Sequence, residues 1–199
     1  MMSGPWTAKE YVSSYLEGDL PDRIVGYRNL WNLDSDRLPV PEKYLSYEPP
    51  SLDHWPMVIT VSLSTPSMTR IDYVDGLNPV YRVSYNMRTY IWVRQDHAEL
   101  ATESRDRLTT VIRAALLDRA SLISLDDEDH DLLLDETTLR EEFSDITYVK
   151  GDRAICGAFL GYTLNLNEAI TRKPRYVPTV ENPNELTVDL SVLSRTEAN

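Results

Sequence analysis

Hydrophobic and polar side chains alternate along residues 80–94. The odd positions are mostly apolar, and they are Tyr81, Val83, Tyr85, Met87, Thr89, Ile91 and Val93. The even positions from residue 82 onward are polar or amphipathic, and they are Arg82, Ser84, Asn86, Arg88, Tyr90, Trp92 and Arg94. A period of two in a segment rich in β-branched and aromatic residues is typical of a strand with one buried face. The pattern therefore predicts a long strand with its odd positions in the core.

The period changes from that of a strand to that of a helix directly after residue 95. Asp96 and Glu99 are suited to a helix start, because side chains three residues apart can each accept from a free backbone amide there. The apolar stripe that follows consists of Leu100, Ala101, Leu108, Val111, Ile112, Ala115 and Leu116. This spacing predicts an amphipathic helix that packs on the odd face of the strand. The residues off the stripe are expected to face water, and they are Arg105, Asp106, Arg113 and Asp118.

Weaker patterns precede the main strand. A short helix is predicted to begin near Thr7 and to end at Gly18 and Pro21, and a second short helix or an arm follows it. Residues 39–79 hold seven of the twelve prolines, so this stretch is expected to be extended and irregular. Within it, only residues 57–64 read as a strand.

The C-terminal part of the chain reads as a hairpin followed by a tail. Residues 143–149 and 154–166 are the two predicted strands, with a turn at Gly151 and Asp152 between them. Asp75 and Gly76 predict a similar turn just before the main strand.

These elements predict an α+β fold. We expect an antiparallel or mixed four-stranded sheet, covered on one face by a long helix and flanked by extended N- and C-terminal arms. The predicted division is an N-terminal helix and arm over residues 1–50, an α+β core domain over 51–170 and an extended tail over 171–199.

The formal net charge of −12 arises mostly in one segment. Residues 126–145 contain ten acidic residues and one basic residue, Arg140, and we expect a solvated loop there. Such a charge argues against nucleic-acid binding as the main function, because that affinity comes largely from basic contacts to phosphate. It suits a channel through which DNA slides without sticking. No apolar stretch approaches the roughly 20 residues that span a bilayer, so no membrane partner is expected.

No residue pattern indicates catalysis. Asp127, Asp129 and Asp131 alternate as in a calcium-binding EF-hand loop, but Leu132 and Thr138 stand where that loop needs glycine and a bidentate carboxylate. The three histidines are scattered, and the chain holds none of the common metal, nucleophile or phosphate-binding motifs. We therefore expect a protein that is not an enzyme, with no catalytic, cofactor-binding or metal-binding residues.

The even face of the main strand is the candidate functional surface. It carries Arg82, Arg88, Trp92 and Arg94, and arginine and tryptophan are the side chains that most often anchor protein interfaces. Two alternatives stay open: a solvated sheet face with Trp92 under a loop, and a platform for single-stranded nucleic acid. The carboxylates of residues 126–145 on an adjacent copy are candidate partners for the arginines.

The same region resembles a known family. The segments that carry the resemblance are YRVSYNMRTYIWVR at residues 81–94, DHAE at 96–99, RDRL at 105–108 and LREEFSD at 139–145. Over residues 57–170 the chain is similar to the tail terminator proteins of long-tailed, siphovirus-type bacteriophages. The N-terminal arm and the tail after Thr171 depart from that pattern.

The resemblance implies a structural virion protein of the phage neck, present in the host cytoplasm during assembly. Such a protein caps the finished tail tube as a ring, usually of six copies, ends tube polymerisation and offers a docking face to the head connector. The implied partners are other copies of the chain, the major tail tube protein, the head-completion or connector protein and the tape measure protein, with DNA passing through the lumen.

Three alternatives stay open. Head–tail joining and tail completion proteins share an overlapping pattern, and they belong to the same structural class. A small-molecule-binding regulatory α+β module belongs to a different class, as does an enzyme with an unrecognised site.

Overall fold

The residues that the structure describes form one sheet with two helices on the same side of it. The structure is a computed structural model, and it describes residues 4–74, 78–118, 132–144, 147–149 and 153–169. Its elements are α1 (Pro5–Trp31), β1 (Lys43–Leu45), β2 (Met57–Val74), β3 (Asn78–Gln95), α2 (Ala98–Asp118), β4 (Leu132–Phe143), β5 (Thr147–Val149) and β6 (Arg153–Ala169). The predicted tail and the turns at Asp75–Gly76 and Gly151–Asp152 lie outside the described residues.

The sheet is mixed and has the strand order β1-β2-β3-β6-β4, with β5 also paired to β6. Among the described strands, the β1–β2 pair alone is parallel, and the other pairs are antiparallel. The α+β class is therefore confirmed, but the described residues form six strands where four were predicted. The predicted C-terminal hairpin is present as β5 and β6.

The central strand β3 has the two faces that its sequence predicts. Its odd positions from Val83 to Val93 are all buried, whereas no even position from Arg82 to Arg94 is. The odd face packs against both helices, together with Leu160, Leu164 and Leu166 of β6. On α2, Leu108, Val111, Ile112, Ala115 and Leu116 are fully buried in the same core, as the helical stripe predicts.

Helix α1 differs from the prediction, because it is one helix of 27 residues that continues through Gly18 and Pro21. A proline inside a helix removes one hydrogen bond and costs about 3 kcal/mol, and a glycine costs about 1 kcal/mol. The compensation comes from packing: Ala8, Val12, Leu16, Leu20 and Ile24 recur every four residues on both sides of the proline, and all are fully buried. Burial of this continuous stripe outweighs the local breakers.

Strand β2 is longer than predicted, and strand β4 was not predicted. β2 extends from Met57 to Val74, because a long antiparallel pairing with β3 accommodates Pro66 at one of its three register irregularities. β4 lies inside the acidic segment that was expected to be a loop. It pairs with β6 through Leu132–Asp135 and again through Arg140–Phe143, and the residues between them form an irregularity in the pairing.

Arg105 is buried, although it was expected to face water. Its guanidinium donates to the Asp106 carboxylate at 2.8 Å and to the Ser144 carbonyl at 2.8 Å, and it lies 5.0 Å from the centre of the Phe143 ring. The end of β4 thus covers an arginine whose charge is paired, which removes much of the cost of burial.

A carboxylate at the end of β6 holds the start of α1. Glu168 is buried, and it accepts from the Tyr85 hydroxyl at 2.6 Å and from the Gly4 backbone amide at 2.9 Å. Burial, and then the hydrogen bond to Glu168, raise the pKa of Tyr85 above its ordinary value. The phenol therefore stays a donor, and it ties the odd face of β3 to the helix start.

Leu108→Ala tests the packing of α2 on β3. Leu108 is fully buried, so its truncation should lower the free energy of unfolding by about 2–5 kcal/mol. The matched control is Leu117→Ala on the same helix, where 38% of the side chain is exposed and the loss should stay below about 1 kcal/mol. Urea unfolding followed by circular dichroism measures both, and equal losses at the two positions would contradict the assigned helix face.

Candidate interaction surface on the sheet

The even positions of β3 lie on the sheet face opposite the helices, which we call the outer face. Pairing places Arg88 beside Val61 and Gly161, and Trp92 beside Met57 and Gly157. β4 extends this face, because Arg140 pairs with Gly161 on the far side of β6. The outer face therefore runs across four strands, and it holds all four predicted interface residues, Arg82, Arg88, Trp92 and Arg94.

Trp92 lies at one end of the outer face and packs within its own chain. The indole lies across Gly157, where an added Cβ would stand 2.9 Å from two ring carbons. The tryptophan also borders a small apolar cluster formed by Met57, Ile59 and Val61, on which Leu45 and Leu52 pack. The segment between β1 and β2 thus helps to cover this end of the sheet. Whether Trp92 also contacts another subunit stays a prediction.

Arg94 lies next to Trp92 at the same covered end. Its guanidinium stands 5.2 Å from the centre of the Trp55 ring, a cation–π contact between β3 and the preceding segment. Arg94 and Trp55 line a polar pocket of about 200 Å³, together with Glu42, Gln95, Asp96 and Arg153. Small-molecule sites usually enclose at least about 300 Å³ and are mostly apolar, so this pocket is a poor match for one.

The other end of the outer face carries three arginines, Arg82, Arg88 and Arg140, which we call the open arginine patch. Arg88 lies over the Phe159 ring at 3.9 Å and donates to the Tyr90 hydroxyl at 3.2 Å. Arg82 is exposed and donates to the Asn167 side chain at 3.5 Å. Arg140 is exposed, and its aliphatic part lies 3.4 Å from the position of a Cβ on Gly161.

The arginines of the patch lack the carboxylate partners that most helix arginines have. Among the described residues, no carboxylate lies within 4 Å of Arg82, Arg88 or Arg140. On the helices, four arginines do have such a partner: Arg23 with Asp118, Arg105 with Asp106, Arg107 with Glu103 and Arg113 with Glu141. The contrast is notable in a chain of net charge −12, and it leaves the patch ready for an anionic group.

The sequence could not assign Arg140 or Phe159 to this surface. The two glycines of β6 are each in close contact with a side chain of the outer face, Gly157 with Trp92 and Gly161 with Arg140. Which strands supply those contacts depends on the β3–β6 and β4–β6 registers, and neither register can be read from the chain alone.

Reactive groups are sparse in the described part of the chain. Cys156 is buried, and burial raises the pKa of its thiol, so the thiolate needed for nucleophilic chemistry is suppressed. The described residues contain no group of three or more histidine, cysteine, aspartate or glutamate side chains placed to hold a metal ion. Neither described helix is long and apolar enough to cross a membrane.

Comparison with known proteins finds no family model that matches the chain and no curated protein that is similar to it.

Gly157→Ala tests the covered end of the outer face. The new methyl group would overlap the Trp92 ring and stand 3.2 Å from the Ile91 carbonyl oxygen, so stability should fall by about 1–3 kcal/mol. Gly161→Ala in the same strand is the matched control, because its methyl group meets only the flexible Arg140 side chain, at 3.4 Å or more. Thermal unfolding of both variants measures the difference, and an unchanged Gly157→Ala protein would contradict the placement of the indole.

Proposed function

We propose that this protein is a structural component of a phage neck that caps the tail tube as a closed ring of six copies. The resemblance of residues 57–170 to tail terminator proteins supports the proposal, and so does the α+β fold of the described residues.

The observation that carries the proposal is the exposed part of the β2–β3 hairpin. Residues 63–72 of β2 are all exposed, and they include Leu63, Met68 and Ile71 with exposed fractions of 51%, 52% and 45%. β1 covers the outer edge of β2 only at Met57–Ile59, and no other described strand pairs with that edge. Exposed apolar side chains grouped on a strand edge favour a surface that contacts other protein chains.

The proposed mechanism is geometric. One surface of each subunit binds the last ring of tube protein, and another binds the head-completion or connector protein, so no further tube subunit can add. The tape measure protein inside the tube is a further partner, and DNA passes through the lumen. Contacts between neighbouring subunits are heterologous, because a ring with one cyclic axis joins two different surfaces of each copy. The mature protein is located in the virion, after assembly in the host cytoplasm.

Capping of tube ends tests this function directly. Purified tail tubes incubated with the protein should stop growing when more tube protein is added, whereas untreated tubes should continue. Light scattering on the concentrated or tube-bound protein should give about six times the 22.9 kDa of one chain. A strict monomer in both situations would refute the ring. Tubes that elongate normally while the protein binds the connector would indicate another head–tail joining protein instead.

Met68→Asp tests the part played by the hairpin. Because Met68 is half exposed, the free energy of unfolding should change by less than about 1 kcal/mol, while the mass of the assembled species falls to that of the monomer. Leu30→Asp on α1 is the matched control, since that side chain is 73% exposed and lies away from the hairpin. If both variants assemble like the parent, the exposed hairpin is not a subunit contact.

A further inference from the structure

The open arginine patch has a chemically matched partner in the acidic edge of the sheet. Among the described strands, β4 lies at the edge of the sheet opposite β1 and β2, with the short β5 beside it on β6. Its carboxylates Asp135, Glu136 and Glu142 lie at or near this edge, and among the described residues no lysine or arginine lies within 4 Å of them. Two oppositely charged surfaces thus have no ionic partner within the described part of the chain.

Two of the three patch arginines lie across the sheet from the β4 carboxylates, and the third, Arg140, shares β4 with them but forms no ion pair with a described carboxylate. Arg82 and Arg88 are on β3, separated from β4 by the whole of β6. Neighbouring strands lie about 4.8 Å apart, so these arginines start about 10 Å from the β4 backbone. Glu142 pairs with Phe159, and the Arg88 guanidinium lies over the Phe159 ring. Even so, the Glu142 carboxylate and the Arg88 guanidinium do not come within 4 Å of each other.

We infer that the open arginine patch of one copy binds the acidic β4 edge, Asp135, Glu136 and Glu142, of a second copy. The inference rests on the proposed ring and names the contact that builds it. Two different surfaces of the chain meet, which is the heterologous arrangement that a ring requires. Arginine suits this role because its planar guanidinium binds carboxylates through two parallel hydrogen bonds while it stacks on a ring, as Arg88 does on Phe159.

Nucleic acid is the competing ligand for arginines beside aromatic rings on a sheet. The protein partner is favoured because the complementary charge is present in the same chain and at equal local concentration in every assembly. The net charge of −12 opposes the approach of a polyanion, whereas it places abundant carboxylates on each neighbouring copy.

Paired charge reversals test the contact. One variant carries Arg82→Glu and Arg140→Glu, and the other carries Glu136→Arg and Glu142→Arg; all four side chains are exposed in the free subunit, so both variants should fold. The assay uses whichever condition, concentrated protein or tube ends, assembles the parent. Each variant alone should assemble at least about tenfold more weakly than the parent, and an equal mixture of the two should recover assembly. The conservative Arg82→Lys, Arg140→Lys protein should retain most of it.

The design separates a specific contact from a general charge effect. The first variant makes the net charge four units more negative than −12, and the second makes it four units less negative. Repulsion between whole subunits would therefore move their assembly in opposite directions, whereas the inferred contact weakens both.

Four results would overturn the inference. If both variants assemble like the parent, the ring stands but this contact does not. If both fail and the mixture fails too, the two surfaces do not meet. If the parent binds a single-stranded DNA 20-mer in fluorescence anisotropy and the Arg82→Glu, Arg140→Glu protein does not, the patch is a nucleic-acid site. A parent that stays monomeric in both conditions refutes the proposed function and this contact with it.

Discussion

The packing of the odd face of β3 against two helices is the interaction on which the rest of the structure depends. β3 is paired along most of its length to β2 on one side and to β6 on the other, so its backbone groups are satisfied within the sheet. Val83, Met87 and Ile91 then fix which face meets the helices. A shift of one residue would turn every side chain to the opposite face, and it would place the charged guanidinium groups of Arg82 and Arg88 in the mostly apolar core. The core therefore sets the register, and the register sets the outer face.

The outer face follows from this constraint and is divided into two parts. At one end, Trp92 lies over Gly157 and Arg94 meets Trp55, so the chain covers its own sheet. At the other end, the arginines of the open arginine patch form no ion pair with a described carboxylate, and residues 63–72 of β2 are exposed. In the proposed ring, both features would lie at subunit contacts, where apolar side chains become buried and charges become paired. The proposed ring gives both features one physical reason.

Much of the core could be predicted from the sequence, because period and composition agreed there. β3 and α2 each combine a clean period with matching propensity, and both were predicted with the correct buried face. The length of α1 could not be predicted, since Pro21 and Gly18 are local stop signals and only burial of Leu16, Leu20 and Ile24 outweighs them. β4 was missed because its acidic residues obscured the pairing that Leu132 and Leu134 make with β6. The outer face was predicted as an interaction surface. That Arg140 belongs to it could be known only from the β4–β6 register.

The central claim is that copies of this chain close into a ring at one end of a tail tube. Electron cryomicroscopy of tubes mixed with the protein is the most direct test. The account predicts a single closed ring with six-fold symmetry at one tube end, with strand β4 of each subunit next to Arg82 and Arg88 of its neighbour. Bare tube ends, or density distributed along the whole tube, would contradict it.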